Sequence, residues 1–420
     1  MSSPRALGAT GFAVSGRRFV VAAFGDAGHA FPAIALARAL RGRGHEVVVE
    51  TWERWRDAVE GEGLAFTAAE EYTTFPPSRG DSGTWRSAAD AAIALLPLME
   101  EFRPDVVVSD ILTLAPTLAA ERAGVRRATL IPHVYPVHEP GLPFFAFGMQ
   151  PPRTPVGRAV WRGAQPVLES GLRRGRDEMN ETRAAVGLPT VESFHGGISR
   201  ELAMVATFPQ LEYPRRWPEH VHVTGPMQFE LPYPNIELPE GDQPLVLVAP
   251  STAQDPEQTL LRAALEGLAS EPVRVLATIN RRPPPSPIST PANARMVDWV
   301  SYARTMPLCD AVVCHAGHGT VARSLASGVP VVACGHAGDQ AENAARIRWA
   351  GAGVSLPRRF QSPTGVRLAV RRLLSDASYR RRAAELRDWA AANDGSARAA
   401  DAVEDLSDTP AGHKRSQSAG

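Results

Sequence analysis

Short apolar runs recur along this sequence, and most of them end at a small or polar residue. Within each run the apolar residues are continuous rather than alternating, which is typical of strands buried on both faces of a parallel sheet. Segments with helical spacing of apolar residues separate the runs. This alternation predicts an α/β fold of doubly wound parallel sheets, with strands at 18–24, 46–50, 105–109, 128–131, 202–206, 221–224, 245–250, 273–278, 310–315 and 330–334.

The chain length indicates more than one domain. Single cores stop growing at roughly 250–300 residues, and this chain has 420. We expect two Rossmann-like domains, at 18–230 and 245–406, the second ending in a C-terminal helix, with tails at 1–17 and 407–420. The segment 231–244 contains four prolines and no apolar periodicity, which is typical of a linker. Two such domains leave a cleft, where ligands bind beyond the carboxyl ends of the strands.

Composition excludes some classes of function. The 45 Lys and Arg residues balance the 45 Asp and Glu residues, so no overall field attracts nucleic acid or an anionic membrane. No uncharged stretch reaches the ~20 apolar residues that span a bilayer, and the first residues lack the apolar core of a signal peptide. Three cysteines without CxxC spacing indicate buried thiols in a reducing compartment. We therefore expect a cytoplasmic protein with no integral membrane association.

A glycine-rich turn follows one strand of the second predicted domain. Residues 314–320 (CHAGHGT) close that strand and precede a helix predicted at 321–326. Glycines let backbone N–H groups approach an anion, and a helix N-terminus adds partial positive charge, so the turn suits a diphosphate. Taken alone, a purely structural tight turn is an equally good interpretation.

Other polar and aromatic residues follow strands of the same predicted sheet. Asp339 and Gln340 come after the next strand, and a carboxylate with an amide can hydrogen-bond to vicinal sugar hydroxyls. Trp299 has a flat face on which a nucleobase can stack. Ser251 and Thr252 follow the first strand of the sheet and offer two hydroxyls to the same crevice.

These motifs resemble, as a set, the donor signature of family 1 glycosyltransferases, close to bacterial antibiotic and macrolide glycosyltransferases. The similar segments are Asp298-Trp299-Val300, His315-x-Gly317-x-Gly319-Thr320 and Gly338-Asp339-Gln340-x-x-Asn343. The resemblance implies the two-domain GT-B fold and a nucleotide-sugar donor. It assigns base stacking to Trp299, beside Val300, diphosphate contacts to Ser251 or Thr252, His315, Gly317, Gly319 and Thr320, and sugar contacts to Asp339 and Gln340. Cys314, His318 and Gly335 depart from the residues that are usual in the family.

A histidine and an aspartate follow strands of the first predicted domain. His29 lies ahead of a helix in whose first turn we expect Pro32. With an ordinary pKa near 6.5, an imidazole can accept a proton at neutral pH, so His29 suits a general base. Asp110 ends a strand that can neighbour the first, and its carboxylate could hold the second ring nitrogen. Local packing and helix capping are the alternative interpretations, whereas the resemblance implies a base at His29 and its orienting carboxylate at Asp110.

The acceptor side is less specific in the sequence. His133, Tyr135 and Phe144 follow another predicted strand, and we expect them to line an acceptor pocket, with ordinary loop packing as the alternative. The apolar and aromatic residues of this region indicate a small hydrophobic, hydroxylated natural product, and a lipid acceptor stays an alternative. Neither an Asp-x-Asp motif nor a His/Cys cluster with metal-ligand spacing occurs. We therefore expect no metal and no cofactor.

The predicted reaction is an inverting, metal-independent transfer of glucose or a deoxysugar from a UDP- or dTDP-sugar to an acceptor hydroxyl. A sugar-nucleotide epimerase with the same donor site is an alternative. A dinucleotide-dependent dehydrogenase is disfavoured because residues 25–30 lack the Gly-x-Gly-x-x-Gly pattern. A non-catalytic partner of another transferase is disfavoured by the intact His29, Asp110 and His315. Assembly as a homodimer is left open.

Overall fold

The computed structural model describes residues 16–69, 83–193, 196–233, 235–251, 255–335 and 338–409. It contains two sheets in which every strand pair is parallel. The first sheet comprises β1 (Arg18–Ala22), β2 (Glu46–Thr51), β3 (Ala65–Ala68), β4 (Val106–Asp110), β5 (Arg126–Ile131), β6 (Leu202–Val205) and β7 (Val221–Val223), in the order β3-β2-β1-β4-β5-β6-β7. The second comprises β8 (Leu245–Ala249), β9 (Arg274–Thr278), β10 (Ala294–Val297), β11 (Ala311–Cys314), β12 (Val331–Ala333) and β13 (Gly353–Ser355), in the order β10-β9-β8-β11-β12-β13.

Helices cover both faces of each sheet. Those of the first half are α1 (Ala27–Gly42), α2 (Arg56–Gly61), α3 (Gly83–Ala94), α4 (Leu96–Phe102), α5 (Leu114–Arg122), α6 (Pro155–Gly163) and α7 (Gln165–Ala185). Those of the second half are α8 (Thr259–Leu268), α9 (Tyr302–Thr305), α10 (His318–Ala326), α11 (Asp339–Ala350), α12 (Pro363–Ser375), α13 (Ala377–Ala392) and α14 (Gly395–Asp408). Two doubly wound α/β sheets confirm the predicted fold class. Among the described residues, no helix is both long and apolar enough to cross a membrane.

The central strands are apolar throughout because helices bury both of their faces. Val21 packs with α1 on one side of the first sheet, and Val20 packs with α3 and α5 on the other. The three cysteines, Cys309, Cys314 and Cys334, are free and buried, which confirms the predicted thiols. Each predicted run overlaps one strand, whereas β3, β10 and β13, which were not predicted, are edge strands of the two sheets.

The start of α1 differs from the prediction. The helix begins at Ala27, and Pro32 is buried inside it rather than in its first turn. Packing of Ala30, Ala33 and Ile34 in the core outweighs the cost of a proline within the helix. His29 therefore lies in the first turn of α1, where helical geometry fixes its backbone.

The last helix of the chain crosses back to the first sheet. α14 packs on α1, β4, β5 and β6, with Ala399, Ala400 and Val403 in the first core. The final helix of the predicted domain at 245–406 thus packs in the core of the first domain. Arg17 donates to Ser407, so residues from both predicted tails join this contact, while residues 1–15 and 410–420 lie outside the described part of the chain.

The predicted linker contacts both cores. Leu231 packs against the core of the first sheet, and Ile236 and Leu238 pack against that of the second. The start of α14 also packs tightly against the backbone of the first half of the chain. A Cβ added to Gly395 would lie 2.4 Å from the carbonyl oxygen of Gly225 and 2.5 Å from that of Pro226.

We predict that Gly395→Ala lowers the free energy of unfolding by about 1–3 kcal/mol, because the added methyl group overpacks against backbone atoms that cannot rotate away. Urea denaturation measures the change. Gly171→Ala is the matched control, since a Cβ there meets no atom within 4 Å on the exposed face of α7. The control should be neutral or gain up to about 1 kcal/mol of helix propensity. Equal stability of the two variants would contradict the tight crossing.

Candidate active site

A histidine and an aspartate from neighbouring parallel strands meet at the carboxyl edge of the first sheet. β1 pairs with β4, with Ala22 opposite Ser109, so the segments after these strands are adjacent. His29 Nδ1 lies 2.8 Å from Asp110 Oδ2 and 3.0 Å from Oδ1. The Asp110 side chain is fully buried, whereas that of His29 is 17% exposed. The imidazole thus has one nitrogen held by a carboxylate, and the ring is partly exposed.

The charge balance at His29 favours proton uptake. Burial lowers the pKa of His29, but the Asp110 carboxylate and more distant carboxylates together outweigh this effect, so the pKa stands above its ordinary value. Asp26 raises the pKa further, as does Asp339. Asp339 begins α11 of the second half of the chain, so a carboxylate from that half acts on the His29 imidazole. Asp110 is itself oriented, since Oδ1 accepts a hydrogen bond of 2.8 Å from the Leu112 N–H.

A second histidine lies beside the first. The rings of His133 and His29 are 6.2 Å apart, with the ring of Phe145 5.9 Å from His133 on another side. His133 Nδ1 donates to the Val134 carbonyl over 2.8 Å. Burial and the neighbouring His29 lower the pKa of His133, so this imidazole is neutral at pH 7. Of the predicted acceptor residues, His133 is the one in contact with His29.

The other two predicted acceptor residues lie further out. Tyr135 is buried, and its ring contacts Trp217 and the Arg215 guanidinium rather than His29. Phe144 is half-buried in a cluster of aromatic rings with His138, Phe147 and Trp161.

The glycine-rich turn opens α10 as an anion-binding turn would. Gly317 is the N-cap residue and has no side chain to cap the helix, and the first turn contains no acidic residue. The backbone N–H groups at this end are therefore not covered by a capping side chain. A Cβ at Gly317 would lie 2.3 Å from His315 Nε2, so only glycine lets the imidazole fold over the helix end. His315 Nδ1 lies 3.4 Å from the Ala249 carbonyl oxygen at the end of β8.

The bulky His318 has a structural role that its position in the motif does not reveal. The structure begins α10 at His318, three residues earlier than predicted, and buries the side chain. His318 Nε2 donates to the Ala206 carbonyl at the end of β6 over 3.2 Å. Burial, reinforced by His133, lowers its pKa to about 4, so it stays neutral. His318, which departs from the residue usual in the family, thus connects the start of α10 in the second half of the chain to the end of β6 in the first half.

The remaining predicted donor residues surround this turn. Trp299 is half-buried, and its indole Nε1 has no hydrogen-bond partner, while Val300 beside it is buried in the second core. The Thr320 side chain hydrogen-bonds to the hydroxyl of Tyr302. A Cβ added to Gly319 would have no neighbouring atom within 4 Å. Ser251 is buried at the end of β8, and Thr252 lies outside the described residues.

Asp339 and Gln340 begin a helix rather than sit in a loop. They are the first two residues of α11, with Asp339 half-buried and Gln340 buried. The first turn of α11 can pack closely against residue 335 because this residue is a glycine. A Cβ there would lie 2.5 Å from the Gln340 carbonyl oxygen. A glycine is thus required where the family commonly has proline.

A buried carboxyl group near the dyad was not predicted. Glu50 ends the apolar run of β2, is 4% exposed, and its Oε2 has no hydrogen-bond partner. Burial raises the pKa of Glu50 to about 8. Ser109 lies on the same face of the sheet, one strand beyond Ala22, and its hydroxyl is likewise unpartnered. A glutamate directly after three valines was the sequence signal for this buried carboxyl group. Within the described ranges, no group of three or more His, Cys, Asp or Glu residues could hold a metal ion.

Two doubly wound parallel sheets, with a glycine-rich strand-to-helix turn in one and a His–Asp pair in the other, fit the GT-B class of sugar-transferring enzymes that the motifs predict. Comparison with family models agrees. A model for the C-terminal domain of erythromycin biosynthesis protein CIII-like proteins matches residues 262–406, and one for the N-terminal domain of glycosyltransferase family 28 matches residues 19–129.

Known proteins extend the match to the whole chain. The chain is 31% identical to 4'-demethylrebeccamycin synthase of Lentzea aerocolonigenes, over 93% of this chain and 100% of that protein. It is 27% identical to O-mycaminosyltylonolide 6-deoxyallosyltransferase of Streptomyces fradiae, over 93% and 98%. The chain therefore belongs to the family 1 glycosyltransferases of the antibiotic type.

Solved structures have the same fold. The glycosyltransferase of kitacinnamycin superposes with a TM-score of 0.73 at 22% identity, covering 93% of this chain and 99% of that one. VinC, solved in complex with dTDP, superposes with a TM-score of 0.66 at 18% identity, covering 93% and 99%. The GT-B arrangement predicted from the motifs is confirmed.

Asp110→Asn should lower the pKa of His29, because it removes the charge that raises this pKa while the opposing effect of burial remains. NMR titration of the imidazole C–H signals measures this pKa. Asp26→Asn is the control and should give a smaller decrease, since Asp26 acts on His29 through charge without a hydrogen bond. An equal decrease in both variants would contradict the dyad.

Glu50→Gln should stabilise the protein increasingly between pH 5 and pH 8. The folded state keeps Glu50 protonated up to about pH 8, whereas the unfolded chain ionises near pH 4.5, so wild-type stability falls as the pH rises through this window. The gain approaches a few kcal/mol at about 1.4 kcal/mol per unit. Thermal unfolding at several pH values measures it. Glu46→Gln, at the exposed start of the same strand, should show no such trend, and a flat Glu50→Gln difference would refute the assignment.

Proposed function

We propose that this glycosyltransferase transfers a sugar from a nucleoside diphosphate, either UDP or dTDP, to a hydroxyl of a small hydrophobic acceptor, with His29 as general base. The observation that carries the proposal is the 2.8 Å contact between His29 Nδ1 and Asp110 Oδ2, at the edge that faces α11 of the second half. A carboxylate on Nδ1 leaves Nε2 as the nitrogen that can accept a proton. It also stabilises the imidazolium that forms.

The chemical step is a single displacement. The acceptor oxygen forms a bond to the anomeric carbon while the bond from that carbon to the diphosphate oxygen breaks. The acceptor proton moves to His29 Nε2, and the nucleoside diphosphate leaves with the electron pair of the broken bond. Attack from the face opposite the leaving group inverts the anomeric centre, so an α-linked donor gives a β-glycoside.

The second half of the chain stabilises the leaving group. The N-terminus of α10, without a capping side chain, and His315, folded over Gly317, are suited to the negative charge that develops on the diphosphate. We propose that these groups act without a divalent cation. Trp299 offers its ring to the base, and the first turn of α11 offers Asp339 to the sugar hydroxyls.

Aromatic rings near the base support a hydrophobic acceptor. The ring of Phe24 lies 5.9 Å from His29 and 4.9 Å from Trp52, and Phe145 lies behind His133. Flat apolar side chains of this kind favour a planar or ring-shaped natural product that presents a hydroxyl to His29. The names of the relatives from Lentzea aerocolonigenes and Streptomyces fradiae point to the same class of acceptor.

The first test combines α-linked UDP- and dTDP-glucose and α-linked deoxysugar donors with hydroxylated aromatic acceptors, among them 4-methylumbelliferone, in the presence and absence of EDTA. Mass spectrometry should detect a glycoside whose yield EDTA does not change, and proton NMR should show a β-linkage. Loss of activity in EDTA would refute the metal-free step, and an α-linkage would refute inversion. Epimerised donor formed without acceptor would instead indicate an epimerase.

His29→Ala should lower turnover by roughly 10²- to 10⁴-fold, the usual contribution of a positioned base. Calorimetry should show dTDP or UDP affinity within about twofold of wild type, since the nucleotide residues belong to the other half of the chain. His222→Ala, on the exposed side of β7, is the control and should keep full turnover. Near-normal turnover of His29→Ala would rule out His29 as the base.

A further inference from the structure

A buried carboxylate joins the acceptor side of the cleft to the donor side. Glu212 follows β6 in the first half of the chain and is 8% exposed. Its Oε1 accepts a hydrogen bond of 2.7 Å from the backbone N–H of Tyr135. Its Oε2 accepts one of 2.8 Å from Arg346 Nη1, in α11 of the second half. One side chain therefore contacts the acceptor loop with one oxygen and the donor helix with the other.

Arg346 is held on several sides at once. Its Nε donates to Glu342 Oε1 over 2.9 Å, and its Nη1 also donates to the Leu211 carbonyl over 3.1 Å. The guanidinium lies 3.6 Å from the centre of the Tyr213 ring. The side chains of Arg346, Glu212 and Glu342 are each only 3% exposed. A planar guanidinium with this many partners is held in one orientation. The position of α11 along and around its axis, relative to the first half of the chain, is therefore fixed.

Because Asp339, the predicted sugar-binding residue, lies on the same helix as Arg346, fixing Arg346 also fixes the position of Asp339. Asp339, Glu342 and Arg346 are spaced at i, i+3 and i+7 in α11, so they lie along one face of the helix. The N-terminal end of this face carries Asp339, which is close enough to raise the pKa of His29. A shift of Arg346 along or around the helix axis would therefore move Asp339 relative to the base.

The acceptor loop is held in the same way from the other side. Tyr135 N–H is fixed by Glu212, and the preceding carbonyl, that of Val134, accepts the hydrogen bond from His133 Nδ1. His133 contacts the His29 ring. The backbone that orients His133 is thus the backbone that Glu212 holds.

We infer that Glu212 and Arg346 are positioning residues that set the acceptor loop at 133–135 against the donor end of α11, so that acceptor and sugar meet in reactive geometry. This inference rests on the proposed function. Neither residue touches the reacting atoms. Their effect falls on turnover and on acceptor KM, because a misplacement of about 1 Å between reacting groups can cost about 10²-fold in rate. We expect neither residue to change nucleotide affinity, because the proposed nucleotide site is formed by Trp299 and the turn at the start of α10.

Two variants and one control separate positioning from stability. Glu212→Gln keeps an oxygen for the Tyr135 N–H but removes the charge that faces Arg346. Arg346→Lys keeps the positive charge but loses the fork that reaches Glu212 and Glu342 together. The control is Glu121→Gln, which breaks the ion pairs of Glu121 with Arg127 and Arg183 inside the first half. All three should lower Tm, because each leaves an arginine or carboxylate with fewer partners.

The measurements are kcat and acceptor KM with 4-methylumbelliferone, and the Kd of dTDP and UDP by calorimetry. We expect Glu212→Gln and Arg346→Lys to lose about 10- to 100-fold in kcat/KM with nucleotide Kd within about twofold of wild type, and Glu121→Gln to keep kcat/KM despite its lower Tm. A Glu212→Gln or Arg346→Lys enzyme with wild-type kcat/KM would overturn the inference, as would an equal loss in Glu121→Gln. A wild-type protein that binds neither nucleotide and forms no glycoside would overturn the proposed function, and the inference with it.

Discussion

The parallel order of the strands is the constraint on which the site depends. In a parallel sheet every strand delivers the following segment to the same edge. Because β1 pairs with β4, the ends of these two strands meet, and His29 contacts Asp110 although Asp110 lies 81 residues later. The second sheet does the same with the turn after β11 and the start of α11. Joining the two edges then brings His29, the proposed base, near Asp339, the proposed sugar-binding residue of α11.

Contacts between the halves keep that cleft in one arrangement. α14 packs on the first sheet, His318 reaches the end of β6, and Glu212 pairs with Arg346. These contacts differ in chemistry, yet each is buried, so each has lost its water and requires its partner. The two halves of the chain are thus held by directional bonds close to the chemistry as well as by apolar packing far from it.

Much of this could be predicted from sequence, for a physical reason. Central parallel strands are buried on both faces, and the continuous valine runs of β1, β2, β4 and β8 reflect this directly. The turn between β11 and α10 could be predicted because its glycines at fixed spacing follow a buried strand, and its role in donor binding stays a prediction. His29 and Asp110 could be paired because both follow such strands. Edge strands such as β10 (ARMV) and β13 (GVS) are partly exposed, and they carry no continuous apolar run to recognise.

The remaining features depend on residues far apart in the chain. Nothing near Glu212 in the sequence indicates Arg346, which lies 134 residues later, and nothing near Gly395 indicates the backbone of Gly225. Tyr135 is predicted to line the acceptor pocket because it follows a strand, and nothing in the nearby sequence indicates that its ring packs against Trp217. Which way a loop side chain turns depends on what the rest of the chain packs against it, and local pattern does not contain that information.

A crystal structure of the ternary complex, with an unreactive analogue of the dTDP- or UDP-sugar and an acceptor, tests the central claim most directly. The account predicts the acceptor oxygen within about 3.2 Å of His29 Nε2 and about 3–3.5 Å from the anomeric carbon, on the side away from a diphosphate held at the start of α10. A sugar bound with its anomeric carbon turned away from His29, or a diphosphate held elsewhere than at α10, would contradict it.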